Sequence, residues 1–166
     1  VAETAKPNGP ILARGAGSSL AGQTVGHGVV LDFSRHMHRL LSLDPTRQSA
    51  WVQPGLVLDE LNRQAAAHGL QFGPDVSTST HATLGGMIAN RSAGSYSLKY
   101  GMTDELVLAL DCVLADGTKL RFQKGASRQD PLVEQLTAEV AKIVWSVEHE
   151  IDRRYPSIRR NVAGYA

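Results

Sequence analysis

The sequence predicts an α+β fold, because short apolar stretches of strand type alternate with a few helical segments. Two such stretches flank Asp116-Gly117, a dipeptide typical of tight β-hairpins. After Asp130, apolar residues recur at steps of three and four, as on one face of an amphipathic helix. Glycines bound the short runs rich in Val, Ile and Leu, as is typical of buried strands.

Five strands are predicted in the first half of the chain. The runs PILAR and GVVLDFS are short and apolar, and they lie beside glycines. RLLSLD and SAWVQPG are separated by the turn-forming residues Pro45, Thr46 and Arg47, so they predict a hairpin. The fifth strand is predicted at LQFGPD.

Two helical segments are predicted among these strands. Val57, Leu61 and Ala65 recur every four residues in VLDELNRQAAAHG, and Gly69 follows as a helix stop. A single apolar helical turn is predicted at Leu84–Ala89, within a segment of small and hydroxyl-bearing residues.

The second half predicts a hairpin followed by one long helix. ELVLALDCVLADGTKLRF forms the hairpin, with a type I′ turn at Asp116-Gly117. The helix begins with Asp130 as N-cap and Pro131 in its first turn, and Pro156 ends it. Its apolar face runs from Leu132 to Ile151.

The bulk properties exclude several classes of function. The net charge is +1, from 17 basic and 16 acidic residues, so neither a nucleic acid nor an anionic membrane is the expected main partner. The single cysteine, Cys112, excludes a disulfide framework and is expected to be a buried, unreactive thiol. No apolar run approaches the roughly 18 residues of a membrane span. We expect a cytoplasmic protein, in which peripheral attachment to the inner membrane remains open.

Both ends of the chain are expected to be truncated. The opening residues resemble the end of a helix closed by Asn8-Gly9, and RRNVAGYA stops without a polar tail. The sequence is therefore interpreted as a fragment of a longer polypeptide.

The stretch RGAGSSLAGQT, Arg14 to Thr24, has the composition of an anion-binding loop. It is not a dinucleotide fingerprint, because Leu20 stands where the third glycine is required. Nor is it an NTP-hydrolysing P-loop, because Gln23 replaces the lysine that neutralises phosphate charge. Consecutive backbone N–H groups in such a turn still form a concave anion site, to which Arg14 adds charge. A plain glycine-rich connection between strands is the alternative.

Two segments together resemble a known family. RGAGSSLAG and the later GPDVSTSTHATLGGMIANRSAG are similar to the two flavin-binding segments of the vanillyl-alcohol oxidase and p-cresol methylhydroxylase (PCMH) flavoproteins. The order of VVLDFSR, VQPG, LDELN and KYG around them is closest to the glycolate oxidase subunit and D-lactate dehydrogenase branch, whose large members carry a downstream iron–sulfur region. The resemblance spans about residues 10–123 and continues more weakly to NVAGY.

The resemblance implies a set of FAD-binding residues. The first loop is expected to hold the diphosphate, and it contains no histidine for covalent attachment, so binding is expected to be non-covalent. The second segment is expected to lie along the flavin and ribityl chain, where Gly85 and Gly86 let backbone approach a flat ring. The expected residues are Arg14, Gly15, Ala16, Gly17, Ser18 and Ser19 in the first loop, then Pro74, Asp75, Thr83, Leu84, Gly85, Gly86, Asn90, Gly94 and Ser95 in the second segment.

Other candidate residues are expected to have structural roles. His36 and His38 can share one face of a strand, but without further ligands nearby no metal site is predicted. Arg91 departs from the family pattern and is expected to face water rather than the cofactor. Two tryptophans, Trp51 and Trp145, follow strand and helix patterns and are expected in the core.

The resemblance implies a partial PCMH-type FAD-binding domain over residues 1–166, built from two small mixed subdomains, with the substrate and iron–sulfur domains absent. The fragment is expected to lack a complete active site, and no catalytic residue is assigned. The implied activity of the parent protein is hydride transfer from a small 2-hydroxy acid, D-lactate or glycolate, to FAD. Electrons would pass to an iron–sulfur region, a quinone or a cytochrome. The alternatives are a reductase of the UDP-N-acetylenolpyruvoylglucosamine type and a non-catalytic nucleotide-binding module.

Overall fold

The computed structural model describes residues 9–126 and 130–157, which fall into two compact units. The N-terminal unit contains the described residues 9–106, and the C-terminal unit contains 107–126 and 130–157. The predicted helix end before Gly9 and the weak family match at NVAGY lie outside the described residues.

The N-terminal unit begins with two parallel strands, as the runs PILAR and GVVLDFS predicted. Strand β1 is Ile11–Arg14 and β2 is Val29–Asp32, with Arg14 opposite Asp32 at their last position. Gly28 allows the close approach at the other end, because a Cβ there would lie 2.0 Å from the carbonyl oxygen of Pro10. The carboxyl ends of both strands therefore meet at one edge, where the glycine loop begins.

The predicted hairpin in the N-terminal unit is confirmed. Strands β3, Leu40–Asp44, and β4, Ser49–Val52, pair antiparallel. The Asp44 carboxylate stabilises the turn by accepting hydrogen bonds from the backbone N–H groups of Thr46 and Arg47, each at 3.0 Å.

Helix α1, Leu58–Ala65, continues as a 3₁₀ turn at Ala66–His68 and ends at Gly69, whose φ is 67°, as predicted. The predicted strand at LQFGPD is wrong. The Leu70 N–H donates to Ala65 O and the Phe72 N–H to Asn62 Oδ1, so this backbone is held by the end of α1 rather than by a neighbouring strand.

The core of the N-terminal unit joins α1 to the predicted apolar turn, which is helix α2, Leu84–Ala89. An isolated β-bridge between Val57 and Thr83 aligns the starts of the two helices. A short helix α3, Ser97–Tyr100, follows. The buried cluster consists of Leu56, Leu58, Leu61, Ala82, Leu84 and Met87.

The C-terminal unit contains the second predicted hairpin, with a different turn. Strands β5, Ala109–Val113, and β6, Lys119–Gln123, pair antiparallel. Type I′ needs positive φ at both central residues, but within the described ranges only Gln48 and Arg91 have positive φ among non-glycine residues. In this turn only Gly117 has positive φ, at 89°, and its N–H donates to Leu114 O, so the turn begins one residue earlier than predicted.

The predicted long helix is two helices, α4, Pro131–Ser146, and α5, Glu148–Arg154. At the break the Ser146 hydroxyl donates to Ile143 O, the carbonyl that would accept the Val147 N–H in a continuous helix. Val147 donates to Val144 O instead and has a φ of −120°.

The prediction that both tryptophans lie in the core is wrong. Trp51 is 40% exposed and Trp145 is 69% exposed. A period of two or 3.6 residues places a side chain on a face, but whether that face is covered depends on the tertiary structure.

Asp130→Ala should lower the free energy of unfolding by about 1 kcal/mol. The Asp130 carboxylate accepts a hydrogen bond of 2.8 Å from the Leu132 N–H, so its removal leaves a helix donor without a cap. Urea denaturation measures the loss, with Asp152→Ala in α5 as the matched control and an expected change below about 0.5 kcal/mol. An equal loss in both variants would show that the cap contributes nothing specific.

The α+β class is confirmed. The described residues form three separate two-stranded sheets, one parallel and two antiparallel. No helix in these ranges has both the length and the apolarity needed to cross a membrane.

Candidate functional site

A cavity of about 420 Å³ opens at the carboxyl ends of β1 and β2. The parallel pairing brings the start of the glycine loop and the end of β2 to the same edge, where ligands commonly bind. The residues that line the cavity are Arg14, Gly15, Ala16, Gly17, Thr24, Val25, Asp32 and Ser34.

Arg14 is held at the cavity by an ion pair. Its Nη2 lies 3.3 Å from Asp32 Oδ2, while Asp32 Oδ1 accepts hydrogen bonds from the Ser34 hydroxyl and backbone N–H at 2.6 and 3.0 Å. The Ser34 bonds, and then Arg14, hold the pKa of Asp32 below its usual range. The Arg14 side chain is 38% exposed, so its guanidinium remains accessible to an anion while Asp32 fixes its orientation.

The glycine loop contacts the second predicted segment directly. A Cβ on Gly15 would lie 1.9 Å from Thr83 Oγ1, so only glycine permits this approach. Gly17 and Gly22 have φ values of 70° and 83°, which turn the loop back on itself. The first loop and the second segment are thereby brought together, and Gln23 and Asn90, 67 positions apart in the sequence, form a hydrogen bond.

The four residues Thr83 to Gly86 do not share one environment. Leu84 is buried in the core, and its N–H and that of Gly85 donate to Leu56 O and Pro54 O, each at 2.8 Å. Pro54 also accounts for the absent side chain of Gly85, because a Cβ there would lie 2.7 Å from Pro54 Cβ. The expected close approach of a flat ring is therefore not needed to explain Gly85.

Gly86 differs from Gly85. Apart from its own helix backbone, a Cβ on Gly86 would meet only Thr83 Oγ1, at 3.2 Å, among the described residues. Gly86 thus leaves open space beside the loop contact, where a ligand can approach the backbone.

Pro74, Asp75 and Gly94 of the second segment are closely packed. Pro74 is fully buried, and a Cβ on Gly94 would lie only 1.8 Å from the carbonyl oxygen of Asp75. Asp75 Oδ1 accepts a hydrogen bond of 2.7 Å from the Tyr96 N–H. Ser95, which lies between Gly94 and Tyr96 in the sequence, is exposed. In the first loop Ala16, Gly17 and Ser18 are exposed, whereas Ser19 is half-buried.

Gln23 and Asn90 link the two segments through their side chains. Gln23 Nε2 donates to Asn90 Oδ1, and Asn90 Nδ2 donates to Gly86 O at 3.0 Å. The sequence analysis considered Gln23 only as the residue that replaces the lysine of a P-loop, and it identified neither Asp32 nor Ser34 as a site residue. The run LDFS, which ends a strand, would have indicated these two residues only if that strand had been known to pair with β1.

Arg91 is paired rather than simply facing water. Its Nε donates to Asp104 Oδ2 at 3.0 Å, and its φ is 48°, an unusual value for a non-glycine residue. His81 is exposed and lies 2.7 Å from Thr80 Oγ1 through Nδ1.

Cys112 is half-buried, and burial followed by the charge of Asp111 raises the pKa of its thiol. In the described ranges no three His, Cys, Asp or Glu side chains are placed to hold a metal ion.

Comparisons with known proteins place these observations in a family context. The sequence profile of a family described as FAD binding domain matches residues 1–123. A D-2-hydroxyglutarate dehydrogenase of Pseudomonas putida is 35% identical over 162 residues, covering 92% of this chain and 16% of the relative. The glycolate oxidase subunit GlcD of Bacillus subtilis is 40% identical over 114 residues, covering 68% of this chain and 24% of the relative.

A solved alkyldihydroxyacetonephosphate synthase is similar with a TM-score of 0.62 at 30% identity, covering 70% of this chain and 24% of that protein. A D-2-hydroxyglutarate dehydrogenase of Haemophilus influenzae is 45% identical over 104 residues. The chain spans between a tenth and a quarter of the length of this relative and of those from Pseudomonas putida and Bacillus subtilis.

Proposed function

Because this chain belongs to the FAD-binding domain family, of the PCMH type, we propose that its N-terminal unit binds FAD at the cavity of β1 and β2 and along the adjoining face of α2. The observation that carries this proposal is the contact between Gly15 and Thr83, which joins the two segments resembling flavin-binding loops. A plain strand connection would not require glycine at a contact with a segment so distant in sequence.

The residues of the cavity fit a diphosphate. Arg14 supplies a permanent positive charge whose direction Asp32 holds, and the exposed backbone of Ala16, Gly17 and Ser18 can donate N–H groups to phosphate oxygens. Ser19 adds a hydroxyl donor. The loop from Arg14 to Thr24 contains no histidine, so we propose non-covalent binding.

The second segment fits a flat ligand at a narrower set of positions than the resemblance implied. Gly86 is open to a ligand, and Asn90 is oriented beside it by its bond to Gly86 O. Thr83 lies at the junction of the two segments. Leu84 and Gly85 are committed to the protein's own packing, and Pro74, Asp75 and Gly94 support the loop that carries Ser95.

We propose that the parent protein is a dehydrogenase that takes a hydride from a small 2-hydroxy acid. The names of the relatives support this class, because they are dehydrogenases or oxidases of D-2-hydroxyglutarate, glycolate and D-lactate. Bound FAD supplies the hydride-accepting chemistry. This chain would hold and orient it, while the substrate groups and the electron acceptor, an iron–sulfur region, a quinone or a cytochrome, would belong to other parts of the parent protein or to its partners. The cell-wall reductase alternative has no support from these relatives.

Titration of the full-length protein with FAD, followed by flavin fluorescence, tests the cofactor. At about a hundred times its Kd, FAD should raise the free energy of unfolding by roughly 2.7 kcal/mol. Arg14→Ala should weaken FAD binding by about tenfold or more, since it removes a charge-assisted hydrogen bond. Arg63→Ala, on the exposed side of α1 beside Glu60, is the matched control and should bind like the wild type.

The second arm of this test concerns the substrate class. Anaerobic addition of D-lactate, glycolate or D-2-hydroxyglutarate should bleach the flavin absorbance of the loaded protein. A protein that binds no FAD contradicts the proposal entirely. Bleaching by NADPH, with none by the hydroxy acids, would instead favour the reductase alternative.

A further inference from the structure

We propose that Gln23 is a ligand-contacting residue whose side-chain carbonyl accepts a hydrogen bond from a hydroxyl group of FAD, while its amide group ties the first loop to the second segment. The inference rests on the proposed function, because it takes FAD as the ligand of this site. It assigns a role to a residue that stands outside the set implied by the family resemblance.

The orientation of the Gln23 side chain follows from its partners. Asn90 Nδ2 donates to Gly86 O, a backbone carbonyl that can only accept, so Asn90 must present its Oδ1 to Gln23. Gln23 must then present its Nε2 to Asn90, as the structure has it. Both amide orientations are thus determined by the backbone carbonyl of Gly86 rather than chosen freely.

The remaining oxygen of Gln23 has no hydrogen-bond donor among residues 9–126 and 130–157. Gln23 Oε1 is buried, and none of the described residues donates a hydrogen bond to it. Leaving a buried acceptor unsatisfied costs about 1–3 kcal/mol, so such atoms are uncommon and generally mark a missing partner. Gln23 directly precedes Thr24 and Val25, which line the cavity of β1 and β2.

The chemistry of FAD limits what that partner can be. The ionised diphosphate offers only acceptor oxygens, so it cannot satisfy Gln23 Oε1. Beside the diphosphate, the donors of FAD are the hydroxyls of the ribityl chain and of the adenosine ribose, whereas the isoalloxazine N3–H and the adenine amino group lie at the two far ends of the molecule. A hydroxyl of the ribityl chain or of the ribose would therefore donate the hydrogen bond to Gln23 Oε1, while Arg14 and the loop backbone would bind the diphosphate.

The link to Asn90 gives this contact a second consequence. Gln23 belongs to the first loop, and Asn90 follows α2, whose Gly86 carries the open position. A ligand hydroxyl bound to Gln23 would also stabilise the orientation of Asn90 and hence the approach of the two segments. Gln23 thus acts on the ligand directly and on Asn90 as a positioning residue.

Gln23→Met in the full-length protein tests the contact, because it retains the length of the side chain and removes both polar atoms. We expect FAD affinity to fall by about three- to tenfold, as for loss of one neutral hydrogen bond. Titration with ADP and with riboflavin locates the hydroxyl, since only the half that carries it should also bind more weakly. Gln71→Met, an exposed glutamine in the segment after α1, is the matched control and should change none of the three affinities.

FAD analogues that each lack one hydroxyl provide a test on the wild-type protein, so that a poorly folded variant does not decide the result. One analogue should bind more weakly to the wild type, and Gln23→Met should abolish that difference. Equal affinity for FAD and every deoxy analogue would overturn the proposal. An equal loss of ADP and riboflavin binding in Gln23→Met would also overturn it, because Gln23 would then act only as a scaffold. A wild type that binds no FAD would instead refute the proposed function.

Discussion

Gly94→Ala is expected to lower the free energy of unfolding by about 1–3 kcal/mol, as overpacking of a close contact does. The new Cβ would lie 1.8 Å from the carbonyl oxygen of Asp75 and 2.5 Å from Asp75 Oδ1. Both neighbours are fixed, because the Asp75 carboxylate accepts the Tyr96 N–H and the Gly94 N–H donates to Ser97 Oγ. The loop after α2 must therefore move away from Asp75, and FAD binding should weaken with it.

Urea denaturation and FAD titration measure the two effects of Gly94→Ala. Gly26→Ala is the matched control, since its new Cβ would meet only Leu12 Cδ2 at 3.9 Å and its backbone is not in the left-handed region. The control should retain wild-type stability within about 0.5 kcal/mol. If Gly94→Ala and Gly26→Ala are equally stable, the close packing of the loop on Asp75 is not a determinant of this fold.

Gly15→Ala is expected to weaken FAD binding by at least about tenfold, and Thr83→Ala should restore most of that loss. The new Cβ would lie 1.9 Å from Thr83 Oγ1 and 3.1 Å from Thr83 Cβ, so the clash is with a hydroxyl that the second substitution removes. Coupling energies of about 0.5–3 kcal/mol are typical of residues in direct contact. The double variant should therefore bind FAD more tightly than the sum of the single effects predicts.

Thr83→Val combined with Gly15→Ala is the control for this rescue, because valine places a methyl group where the hydroxyl lies and retains the clash. Isothermal titration with FAD and melting temperatures are measured for the wild type, the two single variants, their double variant and this control. Additive losses in Gly15→Ala and Thr83→Ala would show that the two loops do not depend on their mutual contact for binding.

Local patterns predicted most of the secondary structure. The hairpins of β3–β4 and β5–β6, the helix stop at Gly69 and the N-cap at Asp130 each depend on residues close in sequence. The predictions that were wrong depend on contacts that periodicity does not show. The Asn62 side chain accepts the Phe72 N–H where a strand was expected, and the faces that carry Trp51 and Trp145 are left uncovered.

The candidate site was predicted as two segments but not as one arrangement. Glycine at position 15 indicated a flexible loop, whereas its contact with Thr83 exists only when the chain is folded. Asp32 was missed because its role depends on the parallel pairing that sets it opposite Arg14. Gln23 was missed because its bond to Asn90 joins residues 67 positions apart.

The sequence by itself determined the α+β class, the family and the two segments that we propose bind FAD, because these depend on residue type and short spacing. Only the tertiary structure decided which residues of those segments remain available to a ligand. Leu84 and Gly85 are used by the core and by Pro54, whereas Gly86 stays open and Gln23 Oε1 remains without a donor in the described residues. The physical reason is that packing and hydrogen bonding assign each buried atom a partner, and only the complete set of neighbours shows which atoms are left for a ligand.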